Sequence, residues 1–188
     1  GTIVRINKDG TIPEDNPFKS HESYDPAVYS YGHRNPQGLT LHPDTATIWQ
    51  HEHGPKGGDE INIIKPGVNY GWPEVTFGIN YWGTKISDKT TAPGMEDPVH
   101  QWTPSIAPSG MAFYSGDKFP NWNGDLFVGA LAHRHIQRIE LDGKTVVGTE
   151  KLLANWNKRI RDVRNGPDGF LYFLTDEEKG GIYRIIPQ

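Results

Sequence analysis

The chain has 188 residues, enough for one well-buried domain, and its 19 basic against 23 acidic residues give a formal charge of -4, with no global positive field to hold a nucleic-acid backbone. The absence of cysteine excludes disulfides, thiolate metal sites, iron–sulfur clusters and cysteine nucleophiles. No apolar stretch approaches the ~20 residues that cross a bilayer, and 22 glycines with 15 prolines stay below low-complexity composition, so the sequence reads as a soluble, folded chain.

Short apolar and aromatic runs separated by glycine, proline, asparagine and aspartate predict strands and turns rather than long helices. In chain order the predicted strands are Thr2–Asn7, Gly38–Leu41, Thr47–His51, Glu60–Ile64, Gly110–Tyr114, Leu126–Ala130, Ile136–Leu141, Thr145–Leu153, Arg161–Arg164, Phe170–Thr175 and Gly181–Ile186. The first opens at the start of the chain, so an export signal is expected to be absent or already removed. A recurring order of polar turn, hydrophobic strand, loop and alternating strand gives about three copies of one antiparallel unit, the pattern of propeller blades. The whole of 1–188 is therefore expected to be a partial, all-β propeller domain, with a Gly-, Pro- and aromatic-rich insertion at about 65–101 that fits no blade. About three blades cannot close a ring, so a missing half-propeller or a second copy of the chain is an expected partner.

Three stretches could carry chemistry. Tyr31–Gly38 presents Arg34, a planar five-donor fork, beside Asn35, which Pro36 restricts to extended geometry; an arginine capping a carbonyl-rich turn is the structural alternative. His51–Glu60 bends at Gly54-Pro55, exposing carbonyl oxygens near the carboxylates of Asp59 and Glu60, a donor set suited to Ca²⁺ without the spacing of an EF-hand. His51, His53, His133 and His135 could join in a zinc or copper site or simply be polar strand-end residues. In Asn157–Arg164, Arg159 and Arg161 would share one strand face, so they call for an anion between them, either a multi-carboxylate or phosphorylated ligand or acidic side chains of a neighbouring blade. No Gly-x-Gly-x-x-Gly, Gly-x-Ser-x-Gly or P-loop pattern occurs.

Taken together, Tyr31-Gly-His-Arg-Asn-Pro-Gln-Gly-Leu39, His53-Gly-Pro-Lys-Gly-Gly-Asp-Glu-Ile61, Asn69-Tyr-Gly-Trp-Pro73, Ala107-Pro-Ser109 and Arg159-Ile-Arg-Asp162 resemble, in that order, the C-terminal half of the soluble quinoprotein sugar dehydrogenases, in particular the aldose sugar dehydrogenase branch. The resemblance implies a six-bladed propeller that binds pyrroloquinoline quinone (PQQ) and Ca²⁺ and oxidises aldose sugars at C1, passing electrons to an external acceptor in the periplasm or outside the cell. It implies that Arg34, Asn35, Arg159 and Arg161 bind the quinone and that His53, Ser105 and Leu131 line its pocket. The main-chain oxygens of Gly54 and Pro55 would hold the cofactor's Ca²⁺, and Glu60 with the carbonyl of Tyr70 a structural one. Ala132 stands where glucose-type members place a lysine, and the family's general-base histidine lies upstream of this chain, so the catalytic residue is unassigned and the chain alone is expected to be inactive. The rival expectations are a non-enzymatic propeller-derived binding module and a calcium-dependent, lactonase-like hydrolase.

Overall fold

The computed structural model describes residues 1–187, and among these no helix is long and apolar enough to cross a membrane. Strand β1 (Thr2–Val4) pairs antiparallel with β2 (Val28–Tyr31). Strands β3 (Pro36–Leu41), β4 (Ile48–Glu52), β5 (Asp59–Ile64) and β6 (His100–Trp102) then form a four-stranded meander. A second meander follows from β7 (Pro108–Phe113), β8 (Leu126–Ala130), β9 (Ile136–Asp142) and β10 (Thr145–Leu152). The third sheet has three strands, β11 (Ile160–Asn165), β12 (Leu171–Thr175) and β13 (Ile182–Arg184). The first strands β3, β7 and β11 lie side by side, as the inner strands of adjacent propeller blades do around their axis. The chain is thus all-β and holds about three blades.

Side-chain alternation explains how the blades stack. On β8 Leu126 and Val128 face the β3–β6 sheet, where they join Trp49, Ile61, Ile63, Trp102 and Met111. Phe127 points the other way and packs with Ile136, Ile160, Val163, Leu171 and Phe173 of the β11–β13 side. A strand buried on both faces needs an unbroken apolar run, and every residue of β8 is buried. The strands β2 and β6 have no such signature: Val-Tyr-Ser-Tyr and His-Gln-Trp are short and mixed, and tertiary pairing with β1 and β5 rather than pattern makes them strands. The expected first and last strands are trimmed to Thr2–Val4 and Ile182–Arg184.

Between β5 and β6 the chain runs through residues 65–99 without a strand, held by isolated bridges. Asn69 bridges both Tyr31 and Met95, and Lys56 bridges Ile79, so the insertion folds back over the loops that precede β3 and β5. The β3–β4 turn carries an exposed Ala46 at φ 52, where a Cβ is disfavoured. Ala46→Gly is expected to stabilise the chain by about 0.5–1 kcal/mol, read as a raised thermal midpoint.

Candidate functional site

The loops at one end of the three sheets bring most of the predicted residues into a continuous arc. Arg34, between β2 and β3, donates from Nη1 to the carbonyl oxygens of His53 and Gly54, both at 2.8 Å. Its guanidinium lies 5.4 Å from the Trp72 ring and Nη2 is 3.5 Å from the Tyr81 hydroxyl, so the insertion supplies the roof over this arginine. The Gly54–Gly58 turn is tight. Gly58 sits at φ 72, and a Cβ there would stand 2.6 Å from the backbone nitrogen of Gly78.

Asp59, fully buried at the start of β5, ties this turn to the next blade. Its Oδ1 accepts the Gly54 N–H at 2.9 Å, while Oδ2 accepts the Ser105 hydroxyl at 2.6 Å and the Ala107 N–H at 2.9 Å. Ala107 in turn accepts the Leu131 N–H at 3.0 Å, and the Leu131 carbonyl lies 3.5 Å from Nη1 of Arg159. Beside Gly54, His53 meets the carbonyl of Pro108 through Nε2 at 2.6 Å. Arg34, His53, Gly54, Ser105, Leu131, Arg159 and Arg161 are therefore linked through hydrogen-bonded neighbours across three sheets.

The anion between the paired arginines is Asp176, from the end of β12 in their own sheet rather than from a neighbouring blade. Arg159 reaches its Oδ2 from Nε and Nη2 at 2.9 and 2.8 Å, and Arg161 from Nη2 at 3.0 Å. These two guanidinium groups hold the Asp176 carboxyl below the usual range. One carboxylate against two cations leaves a net positive charge, and both arginine side chains remain nearly half exposed, so Nη1 of Arg161 is open to a further anion.

A small cavity beneath Arg34 is lined by Glu52, Gly54, Glu60, Tyr70 and Trp72. Glu52 and Glu60 face each other directly across the β4–β5 ladder. Burial, then the neighbouring Glu52, push the Glu60 carboxyl up to about 8, and the side chain of Asn62 at 3.3 Å offsets this only in part. A half-buried carboxyl so raised holds its proton at neutral pH. Among the described residues no three His, Asp or Glu side chains are grouped to hold a metal, so a cation here depends on main-chain oxygens as well.

The four histidines do not converge. His51 is buried against Gly38, and burial lowers its pKa to about 4. His135 lies in the β8–β9 loop, bonded to Gln137 and to the carbonyl of His133. Glu52, Tyr81 and Asp176 are site residues that the sequence reading left without a role; Asp59 entered it only as half of a carboxylate pair beside the Gly-Pro bend, and Trp72 only within a motif.

The chain is a run of stacked propeller blades whose end loops gather arginines, a carbonyl-rich bend and acidic side chains. The Glucose / Sorbosone dehydrogenase family model matches residues 1–184, and the chain belongs to that family. It is 47% identical over 190 residues to the aldose sugar dehydrogenase YliI of Escherichia coli, covering 100% of this chain and 51% of that one. A crystal structure of glucose dehydrogenase superposes with a TM-score of 0.97 at 50% identity, covering 100% of this chain and 55% of the other. The PQQ-bound aldose sugar dehydrogenase of Streptomyces coelicolor superposes with a TM-score of 0.71 at 32% identity, covering 98% of this chain and 50% of the other. The chain thus spans about half the length of the relatives it matches.

Proposed function

We propose that this chain is the cofactor-holding half of a PQQ- and Ca²⁺-dependent dehydrogenase that oxidises aldose sugars at C1, active when the rest of the ring is present. The observation that carries this reading is the arc from Arg34 through Gly54 and Ser105 to Arg159 and Arg161: polarising donors from three sheets meet beside a carbonyl-rich turn, and a relative at 32% identity is named as PQQ-bound. The quinone supplies an electrophilic carbonyl that accepts hydride from the sugar. Arg159 and Arg161 would hold its carboxylates, with Arg34 and Asn35 at the opposite side of the arc and His53, Ser105 and Leu131 forming the wall between them. The carbonyls of Gly54 and Pro55 would face its Ca²⁺, and Glu60 with the Tyr70 carbonyl would take a second.

The proton from the sugar hydroxyl needs a base, and the nearby histidines are committed: His33 and His51 are fully buried, and His53 is bonded to Pro108. That supports a base supplied by the missing half and an isolated chain that binds without turning over. An external electron acceptor and a periplasmic or secreted setting belong to the same proposal. The test is binding. Titrated with PQQ and Ca²⁺, the chain should perturb quinone absorbance, and Arg159→Ala/Arg161→Ala should weaken this about a hundredfold, as expected for two lost charge-assisted contacts. Equal binding by the double variant sinks the assignment.

A further inference from the structure

Glu52 is almost fully buried at the end of β4, yet among the described residues its carboxylate pairs with no lysine or arginine side chain. Its Oε2 accepts the backbone N–H of Arg34 at 2.7 Å and that of Asn35 at 3.2 Å. Its Oε1 lies 3.4 Å from Nδ2 of Asn62 and 3.6 Å from Nδ1 of His33. One carboxylate therefore holds two consecutive amides of the β2–β3 loop and stands beside the ring of a third residue. The loop's other backbone ties go through Gly32 to the Trp72 N–H at 2.8 Å, His33 to Gly1, and the Asn35 carbonyl to the His53 N–H at 3.0 Å, none of which occupies the amides of Arg34 and Asn35. His33 is fixed on its far side by Ser30, 2.9 Å from Nε2, and by stacking on Tyr70 at 4.5 Å. The side chain of Arg34 then projects from this anchored backbone to the Gly54 carbonyl.

The geometry points to Glu52 as a positioning residue that sets the backbone of Arg34 and Asn35 in the conformation that receives the cofactor. This rests on the proposed role of those two residues in holding PQQ. Glu52 lines the small cavity beneath Arg34, but its short hydrogen bonds go to the backbone amides, so it acts through the loop. A carboxylate is suited to the task because one oxygen accepts from two adjacent amides, whereas an apolar residue of equal size leaves both buried donors unpaired and the loop free to turn. Glutamine keeps one carbonyl oxygen at the same place and turns its NH₂ towards Nδ1 of His33, which can accept; it gives up only the 3.4 Å contact from Asn62 Nδ2, which keeps Gln50 and Glu60 as acceptors, so it should preserve the loop arrangement without the charge.

Two readouts on the full chain test this. Amide hydrogen exchange at Arg34 and Asn35 should quicken about tenfold or more in Glu52→Leu, which keeps the volume and removes the acceptors, and should stay within about threefold of wild type in Glu52→Gln. Titration with PQQ and Ca²⁺ should show the same order, with affinity about tenfold weaker for Glu52→Leu and largely recovered in Glu52→Gln. Exchange unchanged in Glu52→Leu, or Glu52→Gln as impaired as Glu52→Leu, overturns the inference. Should Glu52→Leu fail to fold, Glu52→Gln carries the test alone through its retained protection and affinity. If wild type does not bind PQQ at all, the cofactor reading falls, while amide exchange still decides whether Glu52 fixes the loop.

Discussion

Replacing Asp59 with alanine is expected to lower stability by about 3–5 kcal/mol, read as a shift in the urea midpoint at constant slope. The side chain is fully buried and its two oxygens satisfy three donors: the amides of Gly54 and Ala107 and the hydroxyl of Ser105. A buried donor left unpaired costs roughly 1–3 kcal/mol; the substitution orphans the buried Gly54 amide outright and takes the strongest acceptor from the half-buried Ser105 hydroxyl and Ala107 amide, the latter keeping only Ser105 Oγ at 3.3 Å. The damage is also geometrical, because the Gly-Pro bend and the turn before β7 are held in mutual register by this one residue. Asp59→Asn, which keeps the shape and one strong acceptor, should cost about half as much. A value for Asp59→Ala within about 1 kcal/mol of wild type removes Asp59 as the tie between the first two four-stranded sheets.

In the absence of divalent cation, stability should fall as pH rises from about 6.5 to about 8, with a slope approaching 1.4 kcal/mol per pH unit; below 6.5 the buried imidazoles of His51, His100 and His135, all held below their ordinary pKa by burial, drive stability the other way. The cause is Glu60, whose carboxyl is lifted from an ordinary value of 4.5 to about 8 by burial and by Glu52 across the ladder. Between those two values the folded chain binds a proton that the unfolded chain does not. Its contribution is therefore fully present below pH 4.5 and lost as pH climbs through 8. A bound Ca²⁺ would take the proton's place and flatten the profile, so millimolar calcium should raise the melting temperature most at pH 8, and chelation should reverse it. Glu60→Gln should give a flat profile above pH 6.5 and no calcium response. A melting temperature indifferent to both pH and calcium would remove Glu60 as a cation ligand.

Much of this architecture was legible in the residues. The alternation of Thr145–Leu152 and the unbroken run Leu126–Ala130 already specify a strand with one exposed face and a strand buried on both, and the structure has them so. The two-residue spacing of Arg159 and Arg161 was enough to demand an anion. It could not say that the anion is Asp176, because the loop and hairpin that return that acid to its own sheet are a matter of tertiary path. Glu52 was hidden for a similar reason: nothing in a His-Glu-His stretch reveals that the middle side chain turns inward to accept amides from a loop 17 and 18 residues earlier. The histidines misled in the opposite direction, since regular spacing suggested a shared face while burial of His51 takes it out of contact with solvent.

The excursion at 65–99 leaves the β3–β6 sheet after Ile64 and re-enters it at His100, whose strand pairs with the one just left, His100 lying opposite Ile61. Its two stems are thus neighbours, and the blade's hydrogen-bonded ladder closes whatever the intervening peptide does. Such a segment has freedom at its exposed tip, where Tyr81 stands over Arg34, while Tyr70 stacked on His33 and Gly78 packed on Gly58 pin the rest of it to the blade beneath.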